Sequence, residues 1–224
     1  DNTWPLDQVG LMANSCQAVT VDWTLPGGRQ DWLLGAGAVP AERLLVWVAT
    51  AVATGAAVAV AVVEDVAWSW WQWALVLVLT VDVAGGVPAN ALGTAKRFYH
   101  SPVPLGLSHP QRVVRSHVGF AAVHVHAFVL TLLIPDATWT WSIFWYLVSL
   151  VGTAAVVAAP LYLRRPLAAA IATAALISAP MVDAPDGLAW LGPILVLKLV
   201  AAHAVREEPY RPPTVTTPTP DTAR

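Results

Sequence analysis

Long apolar runs alternate along the chain with short polar connections, and the runs are too long for the core of a water-soluble domain. Six stand out: Leu44–Val63, Trp68–Ala91, Arg112–Ile134, Trp139–Ala159, Pro166–Val182 and Leu188–Val205. Each approaches or exceeds the roughly 20 residues that carry a helix across a hydrocarbon layer about 30 Å thick. The runs are continuous rather than alternating, which excludes a membrane β-barrel. The pattern predicts an all-α fold, a polytopic bundle of six transmembrane helices. The fifth run is the weakest of the six, being short and alanine-rich with Pro180 near its end.

The connections sort by charge. Arg43 precedes the first run; Lys96, Arg97, Arg112 and Arg115 surround the second connection; Arg164 and Arg165 mark the fourth; Arg206 and Arg211 follow the last. The intervening connections hold Glu64 and Asp65, then Asp136, then Asp183 and Asp186, with no Lys or Arg. Basic connections stay in the cytoplasm, so both termini are expected there. Tryptophans gather beside each acidic connection (Trp68, Trp70 and Trp71; Trp139 and Trp141; Trp190), at the interfacial height indoles prefer. A weak threefold echo, Arg43 to Trp68, Arg112 to Trp139 and Arg165 to Trp190, is what any three hairpins obeying those two rules would show.

This organisation divides the chain into a loosely structured arm over 1–40, a transmembrane domain over 41–206 and a Pro/Thr-rich solvated tail over 207–224. Within the arm, Trp32-Leu33-Leu34 is a candidate interfacial element. Of the 224 residues, 57% are hydrophobic and 12% charged, about half the charge of a soluble domain. A net charge of −2 gives no electrostatic footprint for nucleic acid, and a single cysteine, Cys16, rules out an internal disulfide framework. The expected setting is the cell membrane of a prokaryote, with the lipid bilayer as the main partner.

Ionisable side chains inside such runs cost a few kcal/mol each and normally face a partner. Counting 1.5 Å per residue, Asp82 lies about 9 Å from the cytoplasmic edge, His117 about 8 Å and Lys198 about 10 Å. Three groups on three helices share one level, which predicts an Asp82–Lys198 ion pair with His117 in hydrogen-bond range. Asp82, Gly86, Asn90, Gly93, Arg97 and His100 would line one face of a continuous second helix. Pro88 is expected to break that helix beside Gly85-Gly86, freeing the Ala84 carbonyl. A carboxylate at a broken helix is a common way to build an intramembrane site.

The histidines suggest more. His100 and His109 flank a Pro-rich connection that could fold over the level of Asp82, and Asp82, His100, His109 and His117 have suitable donors for Zn or non-haem Fe. On a continuous helix His117 and His124 sit about 10 Å apart along the axis, and His124 and His126 point about 200° apart, so neither pair chelates one ion. Bis-histidine haem would need His117 and His203 at matched depth. Nucleotide-binding, zinc-protease and hydrolase motifs are lacking. Two functional classes follow. One is a proton-linked carrier or channel-like protein for a small solute, working through Asp82, Lys198 and His117. The other is a membrane enzyme, possible with a bound metal, acting on a lipid or isoprenoid substrate. An assembly or scaffold subunit, whose polar residues only fix packing, is the third option.

Overall fold

The computed structural model describes residues 20–25, 34–103 and 106–211. The described chain is mostly helical. Helix α1 spans Pro40–Val63, α2 Trp70–Ala91, α3 Gly93–His100, α4 His109–Arg115, α5 His117–Ala122, α6 His126–Leu133, α7 Trp139–Ala158 and α8 Leu161–Ser178. A 3₁₀ turn, Ala179–Met181, closes α8; the last helix, α9, covers Leu191–Val196 and continues as a π-helix over Leu197–His203. Four helices are long and apolar enough to cross a membrane (α1, α2, α7 and α8 with its turn), and α4 to α6 make a fifth if a bent segment counts as one. These helices mark the chain as a multi-pass integral membrane protein.

Local sequence explains the ends. Ser69 opens α2 with a capping box, its N–H bonding Gln72 while Gln72 Nε2 reaches across to the Leu133 carbonyl. Thr138 caps α7 through the Trp141 N–H. Arg164 closes the other end of α7, its Nε and Nη2 donating to the carbonyls of Ala159 and Val157 at 3.0 and 2.7 Å. That is why α8 begins at Leu161 and includes Arg164 and Arg165, five residues earlier than the apolar pattern indicates.

The last helix is the axis of the molecule. Its Leu191, Leu195, Val196, Leu199 and Val200 are all buried, packed against α2, α7 and α8. Gly192 leaves room for the Trp145 ring, and Gly152 on α7 admits Val200, whose Cγ2 would lie 3.0 Å from an added Cβ. Only 13 residues of it are apolar helix, Leu191–His203, against the 18 of the predicted run. By contrast α1 and α8 bury little, presenting Leu44, Val52, Leu176 and Ile177 outward.

Two departures from the expected helices matter for the site. The second helix does not break at Gly85, Gly86 or Pro88. It runs through all three and stops at Leu92, whose ψ of 148° is extended. Pro88 removes one ladder bond, but tertiary contacts hold the helix: a Cβ on Gly85 would stand 2.5 Å from Thr50 Oγ1 of α1, and one on Gly86 would stand 2.5 Å from Lys198 Cε. The third predicted span is itself broken. His109–Arg115 and His117–Leu133 meet at 92°. Ser116 adopts an extended conformation there and its hydroxyl accepts the Gly119 N–H, starting a new helix. A second interruption at Val123–Val125 separates α5 from α6.

The flanks of the helical domain touch. Strand β1 (Thr20–Val21) pairs antiparallel with β2 (Tyr210–Arg211), and Arg211 Nε lies 2.6 Å from Asp22 Oδ2. Trp32 and Leu33 of the predicted interfacial element, and most of the arm and tail, lie outside the described residues; Leu34 is buried against Val46, Ala89 and Leu92.

Candidate functional site

Helix α2 presents Asp82, Gly86 and Asn90 at intervals of four residues, a narrow face directed at the last helix. Lys198 Nζ donates to Asp82 Oδ2 at 2.8 Å, and His126 Nε2 approaches the same oxygen at 3.1 Å. The lysine side chain is 3% exposed and the aspartate 40%, so the carboxylate is the part of the pair that faces open space. Gly86 makes the pair possible, because any larger residue would occupy the volume of the lysine chain.

Eight residues along α2, Asn90 anchors a second cluster. Its Nδ2 donates to the Gly86 carbonyl at 2.8 Å, which turns Oδ1 toward His203 Nδ1 at 3.2 Å. An amide oxygen only accepts, so Nδ1 of His203 carries the hydrogen and Nε2 is bare. His117 Nδ1, 3.2 Å from that Nε2, is therefore the donor. His100 Nε2 donates to the His203 carbonyl at 3.2 Å, and its ring lies 4.3 Å from that of His117. Phe120 stacks on His203 at 4.2 Å and Tyr99 meets it edge-on at 4.4 Å.

The π-helix brings the two clusters together. The Ala204 N–H reaches back five residues to the Leu199 carbonyl at 3.1 Å. In an α-helix Lys198 and His203 would point about 140° apart; in this wider coil, with about 4.4 residues per turn, the angle falls to about 50°. Both then face α2, Lys198 at Asp82 and His203 at Asn90. Lys96 of α3 secures the end of the coil, donating to the carbonyls of Ala202 and Val205.

On α3, outside the membrane-length helices, burial dominates titration. It pushes His100 down to about 3, with His117 and Lys96 adding repulsion, and Lys96 down to about 8 against the pull of Glu207. Burial also pushes Tyr99 up to about 12. His100 is therefore neutral near pH 7, in keeping with its place as a donor to a carbonyl.

A cavity of about 560 Å³ lies between the clusters, with Asp82, Lys198, Asn90 and His124 among its polar lining and Phe98, Tyr99 and Phe120 among its aromatic walls. His124 sits in the Val123–Val125 interruption, its Nδ1 donating to the Phe120 carbonyl at 2.6 Å. Because that stretch is not helical, the rings of His124 and His126 approach to 5.2 Å instead of pointing apart.

Of the expected residues, Asp82 and Lys198 meet, and Asn90 lines the same cavity. His117 does not join them; its partners are His203 and His100. The four-residue metal set does not assemble. Asp82 is engaged by Lys198 and His126, and His109 is exposed at the start of α4. Among the described residues no three His, Cys, Asp or Glu side chains form a metal-holding group. His117 and His203 bond each other directly, leaving no gap for a haem between them. The approach of His126 to Asp82 is not anticipated from the sequence, because Ser116 and the Val123–Val125 interruption redirect its helix. Compared with protein families, with characterised proteins and with solved structures, the chain matches none.

Proposed function

We propose that the chain is a six-pass membrane protein with both termini on its basic, cytoplasmic side, and that it acts as a proton-linked carrier or channel-like protein through Asp82. The observation that carries this reading is the Asp82 carboxylate, held by Lys198 and His126 and partly open to the cavity. Protonating Asp82 removes the counter-charge of a lysine that is 3% exposed, and an uncompensated buried ammonium costs several kcal/mol. The pair separates, and α2 and the last helix lose the bond that fixes their register. Proton uptake is thereby tied to a change around the cavity.

Six passes fit the packing. The bent segment and the last helix are shorter than lipid-exposed spans need to be, but the last helix is wrapped by protein and meets little lipid. It runs parallel to α2, Lys198 beside Asp82 and His203 beside Asn90, as the second and sixth members of an alternating series would.

The test is proton flux into proteoliposomes, followed with an enclosed pH dye. Wild type is expected to carry protons, and Asp82→Asn, compared at a temperature below its lowered melting point, to lose most of the flux. Equal fluxes would sink the carrier reading. The second reading, an enzyme acting on a lipid or isoprenoid substrate, is favoured by the aromatic cavity walls; it predicts no flux in wild type and an Asp82-dependent change in an extracted lipid pool.

A further inference from the structure

We infer that the cavity binds a neutral amphiphile, an apolar chain ending in a hydroxyl head, rather than a charged solute. The inference rests on the proposed reading of the Asp82 site and names what occupies it.

Charge comes first. Asp82 and Lys198 compensate each other at 2.8 Å within the wall. An anionic head drawn to Lys198 would also meet the Asp82 carboxylate, and a cationic head drawn to Asp82 would meet the ammonium. Either would surrender its hydration for an attraction that is largely cancelled. A neutral head gives up far less.

Hydrogen bonding then selects the head. His124 is 7% exposed, and its Nδ1–H is spent on the Phe120 carbonyl, so its Nε2 is a bare acceptor with no bond to a described residue. Asp82 Oδ1 likewise has no such bond, both contacts falling on Oδ2. Lys198 has donated one of its three hydrogens to Asp82 and makes no other hydrogen bond among the described residues. Acceptors and a donor thus line one end of the cavity. A hydroxyl donates to the first and accepts from the second at once, whereas a hydrocarbon leaves both unpaired.

The body follows from the walls. Phe98, Tyr99 and Phe120 bound the cavity together with Val114, Ala89 and Ala95. This apolar volume, within the range of small-molecule sites, accepts a lipid chain or isoprenoid from the bilayer around it.

A headgroup series on one tail tests the inference. Farnesol, farnesyl phosphate and farnesylamine are titrated against the purified full chain in detergent, by thermophoresis or with tritiated ligand. Farnesol is expected to bind about tenfold or more tighter than either charged analogue, one such step being about 1.4 kcal/mol. Ala95→Phe, which fills the cavity, is expected to abolish farnesol binding, and His124→Phe to reduce it about tenfold. Phe120→Ala provides a second wall variant, each variant being accepted only if its melting profile stays cooperative. Tighter binding of the phosphate or the amine overturns the inference, as does farnesol binding that survives Ala95→Phe in a folded protein. Binding without Asp82-dependent proton flux leaves this site standing and defeats the carrier reading; flux without farnesol binding does the reverse.

Discussion

Lys198 lies against the bare Cα of Gly86, close enough that a single added methyl would stand 2.5 Å from its Cε. The glycine is thus a slot through which an ammonium reaches Asp82. Gly86→Ala is expected to push the lysine out and leave Asp82 with His126 alone. The cost should be about 1–3 kcal/mol, visible as a lower melting temperature in detergent despite the better helix propensity of alanine. An unchanged melting temperature would mean that Lys198 has another low-energy route.

Breaking the ion pair from one side should be worse than removing it. Asp82→Asn and Lys198→Met are each expected to destabilise by about 3–5 kcal/mol, and the double variant by much less. A thermal or denaturant double-mutant cycle measures the difference. Additive losses would show that the two side chains are energetically independent.

Acid should weaken the fold through His100. Its folded value of about 3 lies below the ordinary 6.5, so between those limits the unfolded chain binds the extra proton. The stabilising effect of a neutral His100 is full above pH 6.5 and falls away toward pH 3, at about 1.4 kcal/mol per unit. His100→Phe should flatten this part of the stability profile. A variant curve parallel to that of wild type between pH 6.5 and 3 would count against the burial argument.

Ser116 and Arg164 offer two checks on the architecture. Ser116→Ala removes the cap that starts α5 at the sharp bend, and should cost about 1 kcal/mol. Arg164→Ala uncaps the carbonyls of Val157 and Ala159, and should cost about 1–2 kcal/mol. Thermal unfolding of both in the same detergent measures them. Arg164→Lys is expected to rescue poorly, since one ammonium cannot reproduce the geometry of two guanidinium donors.

How much of this was legible in the sequence depends on the coordinate in question. Relative height along the helices was readable, because a helix rises by a fixed amount per residue: Asp82 and Lys198, counted to one level, are hydrogen-bonded to each other. Azimuth was not. It accumulates from the start of a helix, and an undetected interruption resets it. Ser116 followed three residues later by Gly119 lacks the acidic partner that advertises a capping box, so the bend before His117 left no mark in the pattern. The same blindness hid the approach of His126 to Asp82, since His126 follows the interruption at Val123–Val125. The alignment of His203 with Asn90 was out of reach for another reason, since nothing in Leu197–His203 announces five-residue hydrogen bonding. Pro88 misled in the opposite direction: an intrinsic helix breaker was overridden by the packing of Gly85 and Gly86 on Thr50 and Lys198.

The small sheet formed by Thr20–Val21 and Tyr210–Arg211 has a bearing on topology. Backbone hydrogen bonds cannot reach across a bilayer, so these two segments must occupy the same compartment. An even number of crossings between them, as in the proposed six-pass arrangement, is what this pairing calls for. In that arrangement the bent segment and the last helix both traverse. Accessibility labelling at Asp22 and Tyr210 from a single face of a sealed vesicle decides this parity without any knowledge of what the protein transports or binds.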